Sequence, residues 1–310
     1  MSDRFDVVCG TYNGRDLHVD IYEPTGPENR RIAVLVLHGG GWSQGDRKLM
    51  QPRAETLASQ GFTAVVAEYR LTPEAPWPAQ LQDVNAAIRW TRDNGQDLGI
   101  DPDRVVLQGH SAGAHLALIA AGAADRPELD PDASTDRSSA SIAAVVAYYP
   151  PVHLDPTISM PDLAAGPTPE AIAAMCGPEG STPAAMLLGD AVTVEAAAAA
   201  SPLSYVTSSF PPTVLFHGKD DVLISANSSV RFYEALQAAN VPSELHLMGG
   251  VNHEFDATPS LASVCTGVVS SFLSRLVLDP DEFIAEEMQF NPMSAMLRAI
   301  RAAPPSGVPG

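Results

Sequence analysis

Cysteine is scarce in this chain of 310 residues. There are 3, at Cys9, Cys176 and Cys265. They are far apart, odd in number and form no CxxC pair, which argues against a disulfide framework or a zinc knuckle and leaves reduced thiols as the expectation. Long hydrophobic runs are also missing: no uninterrupted apolar stretch approaches the ~18 residues a membrane span needs. The amino-terminal MSDRFDVV has no apolar signal core. These absences predict a soluble, unexported, cytoplasmic protein. Basic residues are few, 18 Lys and Arg against 37 Asp and Glu, for a formal net charge of -19. Such a surface repels phosphate backbones, so nucleic acid is a poor partner, and neutral or cationic small molecules suit it better than anions.

What is present is an apolar fraction of 45% with 18% charged residues, enough to bury a large core. Short apolar runs at 32–37 (IAVLVL), 62–67 (FTAVVA), 105–107, 142–148 (IAAVVAY) and 213–216 read as strands buried on both faces, with 245–248 (LHLM) a weaker one. Residues 17–22 (LHVDIY) alternate like a half-exposed antiparallel strand. Helical patterns lie between them, at 48–60, 79–92, 112–124, 225–239 and 261–278. The 112–124 segment is small and apolar almost all round, as in a buried helix. The alternation predicts an α/β fold with a mostly parallel central sheet and helices on both faces. Residues 1–150 and 208–278 form a single core domain in this reading. The Pro-, Ala- and Gly-rich 151–207 is a lid or cap insertion, and its Ala run is a helix ended by Ser201-Pro202. Residues 279–310 form a helical tail, split at Asn291-Pro292 and packed on the body; an arm over a groove or onto a second subunit is the alternative, so a homodimer stays open.

Residues 109–113 read GHSAG, a match to G-x-S-x-G, preceded by the apolar RVVLQ and followed by AHLALIAAGAA. A serine in a sharp strand-to-helix turn needs small neighbours, which Gly109 and Gly113 supply. A plain helix cap at Ser111 would not call for glycine on both sides, so Ser111 is the candidate nucleophile. The loop after the first apolar strand reads HGGGW at 38–42; three glycines in a row leave backbone N–H groups uncovered. Gly40 and Gly41, with the N–H of Ala112, are the candidate oxyanion donors. His38 is read as bracing that loop through its ring. Of the 8 histidines, His253 is the candidate base, since it sits in the flexible GGVNHEF loop after a strand. His115 is read as buried or capping, His153 as a pocket residue, His217 as ending the strand before GKDD, in a turn, and His18 and His246 as surface or packing residues. An acid just past a buried strand faces the ligand crevice of an α/β sheet, which gives Asp221, with Asp220 the solvated alternative. The order Ser111, Asp221, His253 along the chain suits acyl transfer, which requires no cofactor and no metal.

With these segments in hand, the chain resembles the α/β-hydrolases of the hormone-sensitive-lipase-like group and their microbial carboxylesterase relatives. HGGGWSQGDR (38–47), YRLTPEAPWPAQLQDVNAAIRW (69–90), GHSAGAHLAL (109–118), PPTVLFHGKDDVLIS (211–225) and GGVNHEF (249–255) carry the likeness, over roughly residues 15–277. It implies a serine hydrolase of short-acyl carboxylic esters, with the same triad and oxyanion residues and with Asp83 bracing loops near the site. The partner implied is a small-molecule ester. His110 and Ala114 stand where many such members have an acid and a second glycine. The same GHSAGAHLA pattern occurs in relatives resembling saccharide-deacetylating esterases and arylformamidases. A deacetylase of acetylated or feruloylated saccharides and an amide hydrolase of the arylformamidase type therefore remain alternatives, with a non-catalytic binding protein behind them.

Overall fold

The computed structural model describes residues 2–124, 142–154 and 183–294, apart from Pro27 and Pro73, together with Arg126, Leu129, Met296 and Leu297. The strands are β1 (Arg4–Tyr12), β2 (Arg15–Tyr22), β3 (Ala33–Leu37), β4 (Thr63–Ala67), β5 (Val105–His110), β6 (Ala144–Tyr148), β7 (Thr213–Gly218) and β8 (Ser243–Met248). They form an 8-stranded sheet in the order β1-β2-β4-β3-β5-β6-β7-β8. The pairs β1/β2 and β2/β4 are antiparallel, and every pair from β4/β3 to β7/β8 is parallel. The mostly parallel sheet is thus the one the apolar runs predict, lengthened by β1. That strand has register shifts between Arg4 and Val7 and between Val8 and Gly10, so its side chains do not alternate cleanly. It turns into β2 through Asn13 (φ 50°) and Gly14 (φ 82°), a left-handed pair that suits a tight hairpin.

The helices are α1 (Gln51–Ser59), α2 (Ala79–Asp93), α3 (Ala112–Gly122), α4 (Pro183–Leu188), α5 (Val194–Ala199), α6 (Asn227–Ala238), α7 (Pro259–Leu273) and α8 (Pro280–Phe290). Alternate strand residues feed two separate cores. On one face Leu35, Leu37, Leu107, Val145 and Leu215 pack with α2, α3 and α6 through Leu81, Ile88, Leu116, Phe232 and Leu236. On the other, Val34, Val36, Val106, Val146 and Phe216 pack with α1 and α7 through Leu57, Val269 and Phe272. Covering both faces is why the central strands read as unbroken apolar runs. Each fully buried Val, Leu or Phe side chain contributes roughly 1.5–3 kcal/mol relative to exposure.

Of the 151–207 insertion, residues 155–182 lie outside the described residues, as does Cys176. The Ala run does form a helix, α5, capped where Thr193 Oγ1 accepts from Ala196 N at 3.0 Å. Ser201 then ties the end of this segment to the body, donating to Ala197 O and accepting from Leu154 N. The helical stretch Pro259–Leu278 is long and apolar enough to cross a membrane by length and composition. Its residues Cys265, Val269, Phe272 and Leu273 are buried against the sheet, as in a core helix. In the tail, α8 ends at Phe290 with Asn291 at its C-cap and carries no buried residue. The expected packing on the body is therefore slight: Arg275 stacks over Phe283 at 5.6 Å, while Phe290 is 73% exposed.

Candidate active site

The turn from β5 into α3 holds a non-glycine residue at positive φ. Ser111 has φ 53° and ψ -116°, a conformation that costs a non-glycine residue free energy and persists only where its surroundings impose it. Its N–H donates to Tyr148 O and its own carbonyl accepts from His115 N, both at 3.0 Å. The flanking glycines are required by packing. A Cβ on Gly109 would lie 2.3 Å from Gly113 O, and one on Gly113 would lie 2.4 Å from the carbonyls of both Leu37 and His38. The start of α3 is therefore pressed against the end of β3, which brings the glycine loop onto the serine. A Cβ on Gly39 would be 3.3 Å from Ser111 Cβ.

That loop is held from behind. Gly40 (φ 114°) and Gly41 (φ 57°) occupy the left-handed region, and Gly40 O accepts from Ser43 N and Gln44 N. His38 is buried, stacks on Tyr69 with ring centroids 4.3 Å apart, and its Nδ1–H donates to Gly39 O at 2.7 Å. Burial pushes the His38 ring below its ordinary pKa, consistent with a neutral brace. His115 is buried too, accepting from Trp42 Nε1 at 3.3 Å and donating to Ala200 O at 2.7 Å. Burial pushes it down to about 4. It pins the glycine loop, α3 and the insertion together. Asp83, fully buried, accepts from the backbone N, Nε and Nη2 of Arg70, fixing the start of the 69–90 segment.

Ser111, Asp221 and His253, each at the end of a different strand, meet in space. His253 Nδ1 lies 2.6 Å from Asp221 Oδ2 and its Nε2 lies 3.1 Å from Ser111 Oγ. With the Nδ1 proton directed at the carboxylate, Nε2 offers a lone pair to the serine hydroxyl. Asp220 is exposed while Asp221 is 1% exposed. Asp221 Oδ1 accepts from the N–H groups of Leu223 and Ile224 at 2.8 and 2.9 Å. Burial alone would raise its pKa, but hydrogen bonds from His217, His253 and the backbone hold it well below the usual carboxylate range.

Several neighbours escape sequence reasoning. His217, expected to end the strand in a turn, is the last but one residue of β7 and has no exposure. Its Nε2–H donates to Ile224 O at 2.9 Å and faces Asp221 Oδ2 at 3.3 Å, and its Nδ1 is 2.7 Å from Ser229 Oγ. A histidine four positions before the acid was the available signal. Asn252 Oδ1 accepts from Val222 N and from His253 N, tying the histidine loop to the Asp221 turn. His153, expected near the site, lines a different cavity, with Leu203, Val206 and Arg231. His18 pairs with Glu68, and His246 stacks on Phe216, in the packing roles expected of them.

The cavity at Ser111 has a volume of about 270 Å³ and is lined by Gly40, Gln44, Ser111, Leu223, His253 and Glu254. Among the described residues no group of acidic, histidine or cysteine side chains is placed to hold a metal ion. Cys9 and Cys265 are free, and burial pushes both thiols up to about 12, so neither is a nucleophile.

Known proteins resemble the chain in both sequence and structure. Residues 19–236 match the BD-FAE family. Esterase LipQ of Mycobacterium tuberculosis is 31% identical over 265 residues, a match covering 84% of this chain and 59% of LipQ. The probable carboxylic ester hydrolase LipM of the same organism is 26% identical over 283 residues, covering 87% of this chain and 61% of LipM. The chain thus spans about three fifths of the length of these relatives. Among solved structures, the thermophilic esterase Est2 of Thermogutta terrifontis superposes with a TM-score of 0.70 at 26% identity, covering 89% of this chain and 93% of Est2. Est2 has also been solved with propionate and with butyrate bound.

Proposed function

The chain belongs to the BD-FAE family and has the α/β-hydrolase fold, and from that premise we propose that it is a carboxylesterase acting on short-acyl esters through Ser111, Asp221 and His253. The observation that carries this reading is the continuous chain of contacts from Asp221 Oδ2 through His253 to Ser111 Oγ, 2.6 and 3.1 Å. In acylation, Ser111 Oγ attacks the ester carbonyl carbon while its proton passes to His253 Nε2. Asp221 keeps the ring oriented and stabilises the imidazolium that forms. The negative charge on the carbonyl oxygen is received by the N–H groups of Gly40, Gly41 and Ala112. Ala112 begins α3, where the first-turn N–H groups have no acceptor within the helix. The intermediate collapses as the alcohol leaves with the proton from His253. A water molecule then adds to the acyl-serine, again losing its proton to His253, and the carboxylic acid departs as Ser111 is restored.

The short-acyl preference rests on the small volume beside Ser111, about 270 Å³, and on the propionate and butyrate bound to Est2. LipQ and LipM, named an esterase and a probable carboxylic ester hydrolase, support the reaction class. The test is a panel of p-nitrophenyl esters of increasing acyl length, run beside an arylformamide and an acetylated sugar. Rates highest for acetate to butyrate and falling for longer chains are expected. Faster turnover of the arylformamide or the sugar would replace the ester reading.

A further inference from the structure

Behind His253 lies a buried cluster with no part in the chemistry above. At its centre is the Asp256 carboxylate, 3% exposed. Its Oδ2 accepts from Arg53 Nε at 2.6 Å and faces His110 Nδ1 at 3.1 Å. Its Oδ1 accepts from the Tyr149 hydroxyl at 2.5 Å. Burial alone would raise the Asp256 pKa, but His110 and Arg53 hold it well below the usual carboxylate range. Burial and the same carboxylate push the Tyr149 phenol well above its own. The carboxylate is therefore ionised and the phenol is the donor. Arg53 comes from α1, Tyr149 follows β6, and Asp256 sits in the turn Phe255–Ala257 just past His253. One carboxylate thus joins the histidine loop to α1 through an ion pair and to the end of β6 through a hydrogen bond.

Tyr149 has φ 42°, a conformation rare for a bulky residue and held only when its surroundings over-determine it. Its N–H donates to Phe216 O at 2.8 Å, and its hydroxyl is fixed on Asp256. The result is that the ring lies against the His253 imidazole, centroids 4.3 Å apart and tilted by 53°. A ring in that place limits rotation of the imidazole. Its π electrons attract the ring once it becomes cationic, as acyl transfer requires. A phenol donating to a carboxylate is also richer in π electrons than a free one.

We propose that Tyr149 is a positioning residue for His253: anchored through its hydroxyl on the Asp256–Arg53 pair, its ring holds the imidazole toward Ser111 and stabilises the protonated form. The proposal rests on the esterase reading for its kinetic consequence, though the effect on the imidazole itself does not. Among the described residues, the charged and titratable groups around His253 are Asp221 from the turn after β7 with His217 behind it, Tyr149 from the end of β6 with Asp256, His110 and Arg53 behind it, and Glu254 next to it in its own loop, with Ser111 contacting it from the elbow. Of these, only Tyr149 is altered in the comparison that tests the proposal.

Tyr149→Phe keeps the ring and loses the bond to Asp256; Tyr149→Leu loses both. The first measurement is the titration of the His253 ring by NMR, assigned with His253→Ala, in the full chain. Its pKa should fall by about 0.5 in Tyr149→Phe and by about 1 in Tyr149→Leu. The second is hydrolysis of p-nitrophenyl acetate from pH 5 to 9. Tyr149→Leu should lose about tenfold in kcat with KM within about twofold, Tyr149→Phe should lie between it and wild type, and the limb of the kcat/KM profile should follow the NMR shift. Thermal melting separates these effects from loss of fold. Identical histidine titrations in the three proteins would overturn the proposal, as would a fall in kcat that tracks melting temperature alone. If wild type and Ser111→Ala are equally inert toward every ester, the esterase reading fails, and the NMR titration still decides the role of Tyr149.

Discussion

Two buried aspartates each face histidine, Asp221 with His253 and His217 beside Ser111 and Asp256 with His110 behind His253, and their surroundings differ. Asp221 and His253 meet at 2.6 Å, Asp256 and His110 at 3.1 Å, and both carboxylates are held well below their ordinary range. The difference lies in what else each pair touches. His253 turns its second nitrogen to Ser111 and to the cavity, and among the described residues no arginine or lysine pairs with Asp221, which faces His253 and His217. In the proposed esterase reaction, a charge developing on His253 is what that carboxylate would balance. Asp256 already has Arg53 at 2.6 Å. His110 is sealed, stacked on Tyr148 at 4.6 Å with its other nitrogen 3.2 Å from Gln108 Nε2. A histidine and an aspartate in contact therefore do not by themselves make an acid–base device. An open nitrogen and an uncompensated carboxylate do.

The largest effect should come from breaking the open pair at its serine. Ser111→Ala should lower kcat for a short ester by about 10⁴-fold or more while leaving the melting curve in place. A rate within tenfold of wild type would remove Ser111 as nucleophile. Next, Asp221→Asn should cost about 10³- to 10⁴-fold in kcat, because the amide favours the wrong imidazole tautomer. Asp220→Asn, at an exposed position, should change it by no more than about twofold. The reverse ranking would move the orienting acid by one residue.

The closed pair should show its worth in stability. Asp256→Leu leaves the part-buried Arg53 guanidinium without its carboxylate; removing one partner of a fully buried pair costs about 3–5 kcal/mol, so a loss of about 3 kcal/mol is expected here. The pH dependence has a definite sign. Asp221 and Asp256 have depressed pKa values in the folded state, so the stability they contribute is complete above the unfolded aspartate value of about 3.9. It is lost as pH falls below that value toward the folded ones. Urea denaturation should therefore show stability declining from about pH 4 downward, with a shallower decline in Asp256→Leu. An equal slope in the two proteins would mean that the closed pair is not ionised as described.

The open pair was legible in the chain and the closed one was not, for a physical reason. Ser111, Asp221 and His253 each follow a strand, and a strand end in a parallel sheet is a place where a polar residue has an identifiable job. Asp256, Tyr149, Arg53 and His110 lie on separate elements, and nothing local distinguishes Arg53 from any helix arginine or Tyr149 from a core aromatic. His110 did stand out, as an unexpected neighbour of the serine, but its partner is visible only in the folded chain. The same contrast holds for the sheet. β3 to β7 are apolar because helices cover both their faces, whereas the bulged edge strand β1 carries no period. Its one local signal, Asn13-Gly14, is a turn rather than a strand.

The smallest effect sharpens the comparison most. His110→Gln replaces the closed imidazole with a neutral side chain that can still donate to Asp256. Arg53 and Tyr149 keep the carboxylate satisfied, so the loss should be about 1 kcal/mol of stability, the net worth of one hydrogen bond. Because His110 exchanges no proton with substrate in this arrangement, the kcat/KM profile of His110→Gln should retain the same limb as wild type, measured from pH 5 to 9 with p-nitrophenyl acetate. A displaced or missing limb would show that the titration belongs to the closed pair, and that the two histidines share the charge that the geometry assigns to His253 alone.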